Sequence, residues 1–234
     1  MWRFLLMAAL TAQTARAKAP GAMSTTPAAP PPAAVAVKAS PTDEVVQRLQ
    51  QRYDATKDLQ ASVVQEMEIV SFGRKLTSKG TVYFKRPGRM RWDMSDGQKQ
   101  TIVADGTYLW LYQPSEQQVY KAPFGAAFQS VTPVSFLTGI GRIADDFSVS
   151  ADGDEGGLIY LRLVPHAGEG IGVLRLGIDR KTYDILTAEV RDPMGNLTRL
   201  QFSDLKRDTG IDDGLFVFHV PQGAEVVESP SGME

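Results

Sequence analysis

The pattern of apolar and polar residues divides the chain into one early helix and a long succession of strands. Val45, Val46, Leu49 and Tyr53 recur on one face at helical spacing, with Thr42 as N-cap and Asp43 and Glu44 at the positive end of the dipole. That spacing predicts a helix over 42–56. From Leu59 onward the period falls to two and turn residues punctuate it. Strands are predicted at 60–70, 76–86, 89–95, 100–104, 107–112, 117–121, 158–164, 173–179, 184–191, 196–206 and 216–220. Asp105-Gly106 suits a two-residue type I′ hairpin and Pro193-Met194-Gly195-Asn196 a further reversal, so consecutive strands are expected to pair antiparallel.

One segment breaks the run of strands. Thr132 and Pro133 can open a helix over 132–145 through Val134, Phe136, Leu137, Ile140 and Ile143, although Gly139 and Gly141 each weaken it by about 1 kcal/mol relative to Ala. A wide antiparallel sheet curls, and helices then have its hollow face to cover. The expected fold is mainly β with an α lid: an incomplete antiparallel β-barrel of about 11 strands, covered by two or three short helices and enclosing an apolar cavity.

The N-terminus follows different rules. A basic start at Arg3, an apolar run from Phe4 to Ala12 and a small-x-small site near Ala17 predict a secretory signal peptide over residues 1–17. The apolar run is less than half of the roughly 20 residues that a membrane-spanning helix needs. Residues 18–41 are mostly Ala, Pro and other small residues, the composition of an extended spacer, with a proline-rich docking motif as the sharper alternative. The folded domain is expected over 42–228, with a short tail at 229–234.

Composition narrows the function. At 22% charged and 43% hydrophobic, the bulk of the chain reads as a water-soluble globular protein. Without residues 1–17 it carries 23 basic against 27 acidic residues, a balance that disfavours a nucleic-acid partner. The absence of cysteine removes both a disulfide framework and the acceptor of lipoprotein acylation. The exported protein is therefore expected to be an unanchored monomer in the periplasm.

Candidate chemistry is sparse. The two histidines, His166 and His219, sit in no recognisable catalytic or metal motif. The acidic run Asp152-Gly153-Asp154-Glu155 lacks the alternating ligands and distal Glu of a calcium loop and reads as a solvated hairpin. No catalytic residue, metal or cofactor is expected, and the chain does not read as an enzyme. One stretch stands out: in 84–95, FKRPGRMRWDMS, Met90, Trp92 and Met94 alternate with Arg89, Arg91, Asp93 and Ser95. An ordinary half-buried strand explains the alternation. Two adaptable methionines around a tryptophan, with Trp110 on a nearby aromatic strand, also suit the wall of a cavity.

The run FKRPGRMRWDM, followed by VADGTYLWLYQP, the short TPVSFL segment and the closing FVFHVPQGAEVVE, resembles the LolA family of outer-membrane lipoprotein carriers across about residues 42–228. The resemblance implies a periplasmic chaperone that takes acylated lipoproteins from a LolCDE-like inner-membrane ABC transporter to a LolB-like outer-membrane acceptor. It places the functional arginine of the Lys-Arg-Pro motif on Arg86, as a latch hydrogen-bonded to lid backbone. Acyl chains would lie among Leu49, Tyr53, Met90, Trp92, Met94, Trp110, Phe136, Leu137 and Ile140. Methionine at position 90, often aromatic in such proteins, and the two glycines of the second helix are departures from that pattern. An RseB-like lipid-sensing module of the envelope stress response is the alternative.

Overall fold

A computed structural model describes residues 40–127, 142–166 and 172–228. The expected signal peptide and nearly all of the expected Ala/Pro spacer lie outside these residues, as do the expected C-terminal tail and most of the expected second helix. Helix α1 spans Pro41–Ala55. Its N-cap is Ser40 rather than Thr42: Ser40 Oγ accepts from the Asp43 N–H at 3.1 Å while Asp43 Oδ2 accepts from the Ser40 N–H at 2.9 Å. Pro41, with no N–H to satisfy and φ already helical, occupies the first turn.

The strands are β1 (Asp58–Ile69), β2 (Arg74–Lys85), β3 (Arg89–Asp96), β4 (Gln100–Ala104), β5 (Tyr108–Gln113), β6 (Gln118–Pro123), β7 (Phe147–Glu155), β8 (Leu158–Pro165), β9 (Val173–Asp179), β10 (Ile185–Arg191), β11 (Leu197–Arg207) and β12 (Glu225–Glu228). Among the described residues, two four-residue helices, α2 (Phe124–Ala127) and α3 (Ile143–Asp146), lie between β6 and β7. All twelve strands form one open, curved sheet in the order β12-β6-β5-β4-β3-β2-β1-β11-β10-β9-β8-β7. Every pairing is antiparallel except β12 with β6.

Three expectations need correction. Residues 147–155 form a strand, with Asp152 and Asp154 ion-paired to Arg175 and Arg180. Residues 217–220 are not a strand: the chain crosses the sheet there and pairs only at Glu225–Glu228, with a partner 107 residues away, which local alternation cannot signal. The β4–β5 loop is Gly106-Thr107, closed by Asp105 N–H donating to Tyr108 O at 3.1 Å. Of those two residues only Gly106 takes positive φ, at 95°, because β-branched Thr107 resists the left-handed region that a type I′ turn demands at both positions.

The sheet has two differently covered faces. On the inner face, Leu59, Ala61, Val63, Val82, Phe84, Leu109, Leu161, Leu163, Leu174, Leu176, Leu200 and Phe202 pack in one cluster with Val46, Leu49 and Tyr53 of α1. On the outer face of β2–β6, residues 208–224 run as a strap from the end of β11 to the start of β12. Phe216, Val103 and Val119 are buried without belonging to the inner cluster, so the strap covers a second, smaller core.

A methionine and tryptophan wall beneath helix α1

Strand β3 supplies the site because its alternation is strict. Met90, Trp92 and Met94 are all buried in the inner cluster, while Arg89, Arg91 and Asp93 face outward. Trp92 meets Phe84 and Phe202 edge-on, with centroids at 6.3 and 6.5 Å, the geometry that ring quadrupoles favour. Its indole N–H is buried and finds no acceptor among the described residues. The wall is thus apolar, soft at the two methionines, and holds one unused donor.

Helix α1 is held to the sheet at its C-terminal end. Tyr53 Oη accepts from the Ile185 N–H at 3.2 Å, and burial pushes the Tyr53 phenol up to about 12 against the opposing pull of that hydrogen bond and of Arg207. The carboxylate of Asp184, itself buried, pairs with Arg52 Nε at 3.1 Å and with Arg207. Farther along the helix, Gln50 Oε1 accepts from the Ile143 N–H at 3.2 Å, which brings α3 against α1.

The β2–β3 turn splits its cations between the two faces. Arg86 reaches α1, where its Nη2 donates to Asp54 Oδ1 at 3.3 Å, and its backbone N–H donates to Lys57 O at 3.0 Å. Lys85 and Arg89 instead clamp Asp213 of the strap, each at 2.6 Å, and hold its carboxyl down at about 2. Lys85 Nζ also donates to Ile211 O, and Arg91 Nη1 donates to Leu215 O at 3.1 Å. The start of the strap is tied to β1 through Asp58. Burial raises its carboxyl, but hydrogen bonds from Thr209 and Gly210 outweigh burial and leave it below the usual carboxylate range.

Trp110, expected in the cavity wall, lies on the opposite face. In β5 it is Leu109 that joins the inner cluster, and Trp110 stacks on Phe218 of the strap at 5.3 Å with its indole N–H donating to Asp105 Oδ2 at 2.8 Å. Lys121 Nζ sits over the Tyr108 ring at 4.2 Å and the Trp110 ring at 5.3 Å. Both faces of β5 are apolar, so alternation alone does not tell which one turns inward.

His166 has a structural setting. Its Nδ1 lies 2.9 Å from Asp145 O, which can only accept, so Nδ1 carries a proton, and Nε2 lies 2.9 Å from Ser148 Oγ. His219 is exposed on the strap. Among the described residues no group of three acidic, histidine or cysteine side chains could hold a metal ion. A cleft of about 410 Å³ on the outer face, lined by charged side chains such as Arg162, Arg175 and Glu189 together with Val173, Pro193 and Leu197, is separate from the β3 wall.

A family model described as outer membrane lipoprotein carrier protein LolA matches residues 54–219. The chain belongs to the LolA family. The outer-membrane lipoprotein carrier protein of Methylococcus capsulatus is 33% identical over 181 residues, 77% of this chain and 86% of that protein. That of Methylobacillus flagellatus is 34% identical over 170 residues, 73% of this chain and 77% of that protein. In fold, a crystal structure of an uncharacterized conserved protein from Thermus thermophilus matches with a TM-score of 0.51 at 16% identity, over 80% of this chain and 98% of that one.

In this LolA-family chain the structure therefore unites Leu49, Tyr53, Met90, Trp92 and Met94 and sets Trp110 apart. Phe136, Leu137 and Ile140 lie outside the described residues. The strap and its Asp213 clamp escaped sequence reading. The only local hint was the alternation of Lys85, Arg89 and Arg91, which marks an outward face but does not say what covers it.

Proposed function

We propose that this protein is a periplasmic carrier that shelters the acyl chains of lipoproteins between the inner face of the sheet and its helices, and delivers them to the outer membrane. The observation that carries the reading is the burial of Met90, Trp92 and Met94 beneath α1 in a chain that belongs to the LolA family. Each CH₂ taken from water is worth about 0.8 kcal/mol, so a triacylated anchor crosses an aqueous space only inside such a shelter. Unbranched methionines adapt to chains of different length, which suits a carrier of many cargoes.

Arg86 is the latch in this scheme. It ties the β2–β3 turn to α1 through Asp54, in a setting exposed enough for the pair to break at little cost. A closed free form weakens net cargo affinity by the fraction of open molecules, and that permits release. The donor would be a LolCDE-like transporter and the acceptor a LolB-like protein, with residues 1–17 directing export.

The test mixes exported, leader-free protein with spheroplasts and follows an outer-membrane lipoprotein into the soluble fraction. Release in proportion to added carrier is expected. No release at any ratio removes the carrier reading, and tight binding to a regulator's periplasmic domain in its place favours a sensor.

A further inference from the structure

Three large apolar side chains stand exposed together at one end of the sheet. Val70 and Phe72, in the three-residue 3-10 turn that joins β1 to β2, are 57% and 59% exposed, and Met194, in the β10–β11 turn, is 58% exposed. Single exposed apolar residues are ordinary, but these three share one tip. The Val70 N–H donates to Asn196 Oδ1 at 3.1 Å, and Val70 Cγ2 lies 3.9 Å from where a side chain on Gly195 would begin. Asp192 fixes the second turn by accepting from the Asn196 N–H at 2.9 Å.

The tip projects. Strand β2 pairs with β1 from Arg74 but with β3 only from Lys79, and the β3–β4 turn packs against Thr77 and Ser78, so Arg74 to Leu76 extend beyond the rest of that side of the sheet. It lies at the far end of β1 and β2 from the Arg86 turn and from Tyr53. Its rim carries three exposed cations, Arg74, Lys75 and Arg191, against two carboxylates, Glu68 and the Asp192 that is engaged within the second turn. Lys75 is matched by Glu68 at 3.5 Å, whereas Arg74 has no ion-pair partner among the described residues, and Arg191 donates to the Gly195 carbonyl at 3.2 Å.

We infer that Val70, Phe72 and Met194 form a membrane-contact tip that dips into the interface of an anionic phospholipid bilayer while Arg74, Lys75 and Arg191 face its headgroups. A protein partner fits less well. A stable protein interface takes about 800 Å² from each side, and two narrow turns of three apolar residues offer much less, in a wedge and not a face. Apolar side chains at the headgroup depth with cations around them are what an anionic bilayer selects. The contact stands apart from the carrier reading, since it involves neither the β3 wall nor cargo.

The experiment uses protein recovered after export, its N-terminus read by mass spectrometry, and sediments it with phosphatidylglycerol-containing vesicles or with pure phosphatidylcholine. Binding to the anionic vesicles, weakened by salt and by phosphatidylcholine, is expected. The triple variant Val70→Ser, Phe72→Ser, Met194→Ser should lose about tenfold in partition with an unchanged unfolding midpoint. In the Phe72→Trp variant, indole emission should shift to the blue on anionic vesicles. Absence of wild-type binding, equal binding by the triple variant, an unmoved emission in Phe72→Trp, or self-association that the triple variant abolishes would each overturn the inference. Lipoprotein release from spheroplasts by the wild-type protein keeps the two readings distinguishable. Release without vesicle binding overturns the tip alone, and vesicle binding without release overturns the carrier alone.

Discussion

Arg86 and Asp54 meet at 3.3 Å between the β2–β3 turn and the last turn of α1, one residue along the turn from the Lys85 that grips the strap on the other face. A single Lys-Arg-Pro step thus couples the helix over the apolar wall to the covering of the outer face. The Arg86 pair is partly solvated, so its contribution to stability is small, about 0–1 kcal/mol. Arg86→Leu should therefore leave the urea midpoint almost unchanged while slowing cargo transfer to an acceptor. Asp54→Asn should reproduce part of that defect. Transfer at the wild-type rate in both variants would remove the latch.

Asp184 sits near the same end of α1 and behaves differently. Its carboxylate is buried between Arg52 and Arg207, so Asp184→Ala strands a buried guanidinium. Loss of one partner of such a pair costs about 3–5 kcal/mol. Equilibrium unfolding should place Asp184→Ala far below Asp54→Ala, and equal losses would contradict the burial contrast between the two aspartates.

Tyr53 supplies a pH signature. Its phenol is raised to about 12 by burial, so the neutral form is the one that folding selects. Stability from this group is complete below the unfolded value near 10 and is lost as pH climbs from about 10 to about 12. Tyr53→Phe should abolish that part of the alkaline slope while costing about 1–3 kcal/mol at neutral pH, because the Ile185 N–H loses its acceptor. A slope identical to wild type would show that Tyr53 titrates as an ordinary phenol.

Much of this was readable in the letters, for physical reasons that differ by element. Strand β3 was legible because Met90, Trp92 and Met94 alternate with charged or polar neighbours, so only one face can turn inward. Strand β5 was legible as a strand but not in its orientation, since Leu109 and Trp110 are both large and apolar; the strap over Trp110 decides it. Strand β7 was hidden by Asp152, Gly153 and Asp154, residues of low strand propensity: the first two fall at a register break of the β7–β8 ladder, and the two aspartates pair with Arg175 and Arg180. Ser40 was missed as N-cap because a proline next to it resembled the end of the spacer.

The strap answers to acid. Asp213 is held at about 2 by Arg89 and Lys85, so its contribution is fully present above the unfolded carboxylate range and is lost as pH falls from about 4 to about 2. Peptic cleavage between residues 208 and 224 should accelerate across that window. In Asp213→Asn, cleavage should already be fast at pH 4 and change little below it. A wild-type rate that stays flat across the window would mean that the clamp does not hold the strap.

Two tryptophans in the described structure report on opposite faces. Trp92 lies in the inner cluster and Trp110 under Phe218, so acyl chains that enter the carrier should perturb only the first. With an acylated peptide as ligand, the emission change should persist in Trp110→Phe and vanish in Trp92→Phe. Trp92→Phe also removes the buried indole N–H that has no acceptor, so its stability loss should be smaller than the roughly 3–5 kcal/mol of a full truncation to alanine. If the signal follows Trp110 instead, cargo lies beneath the strap and the β3 wall is ordinary core.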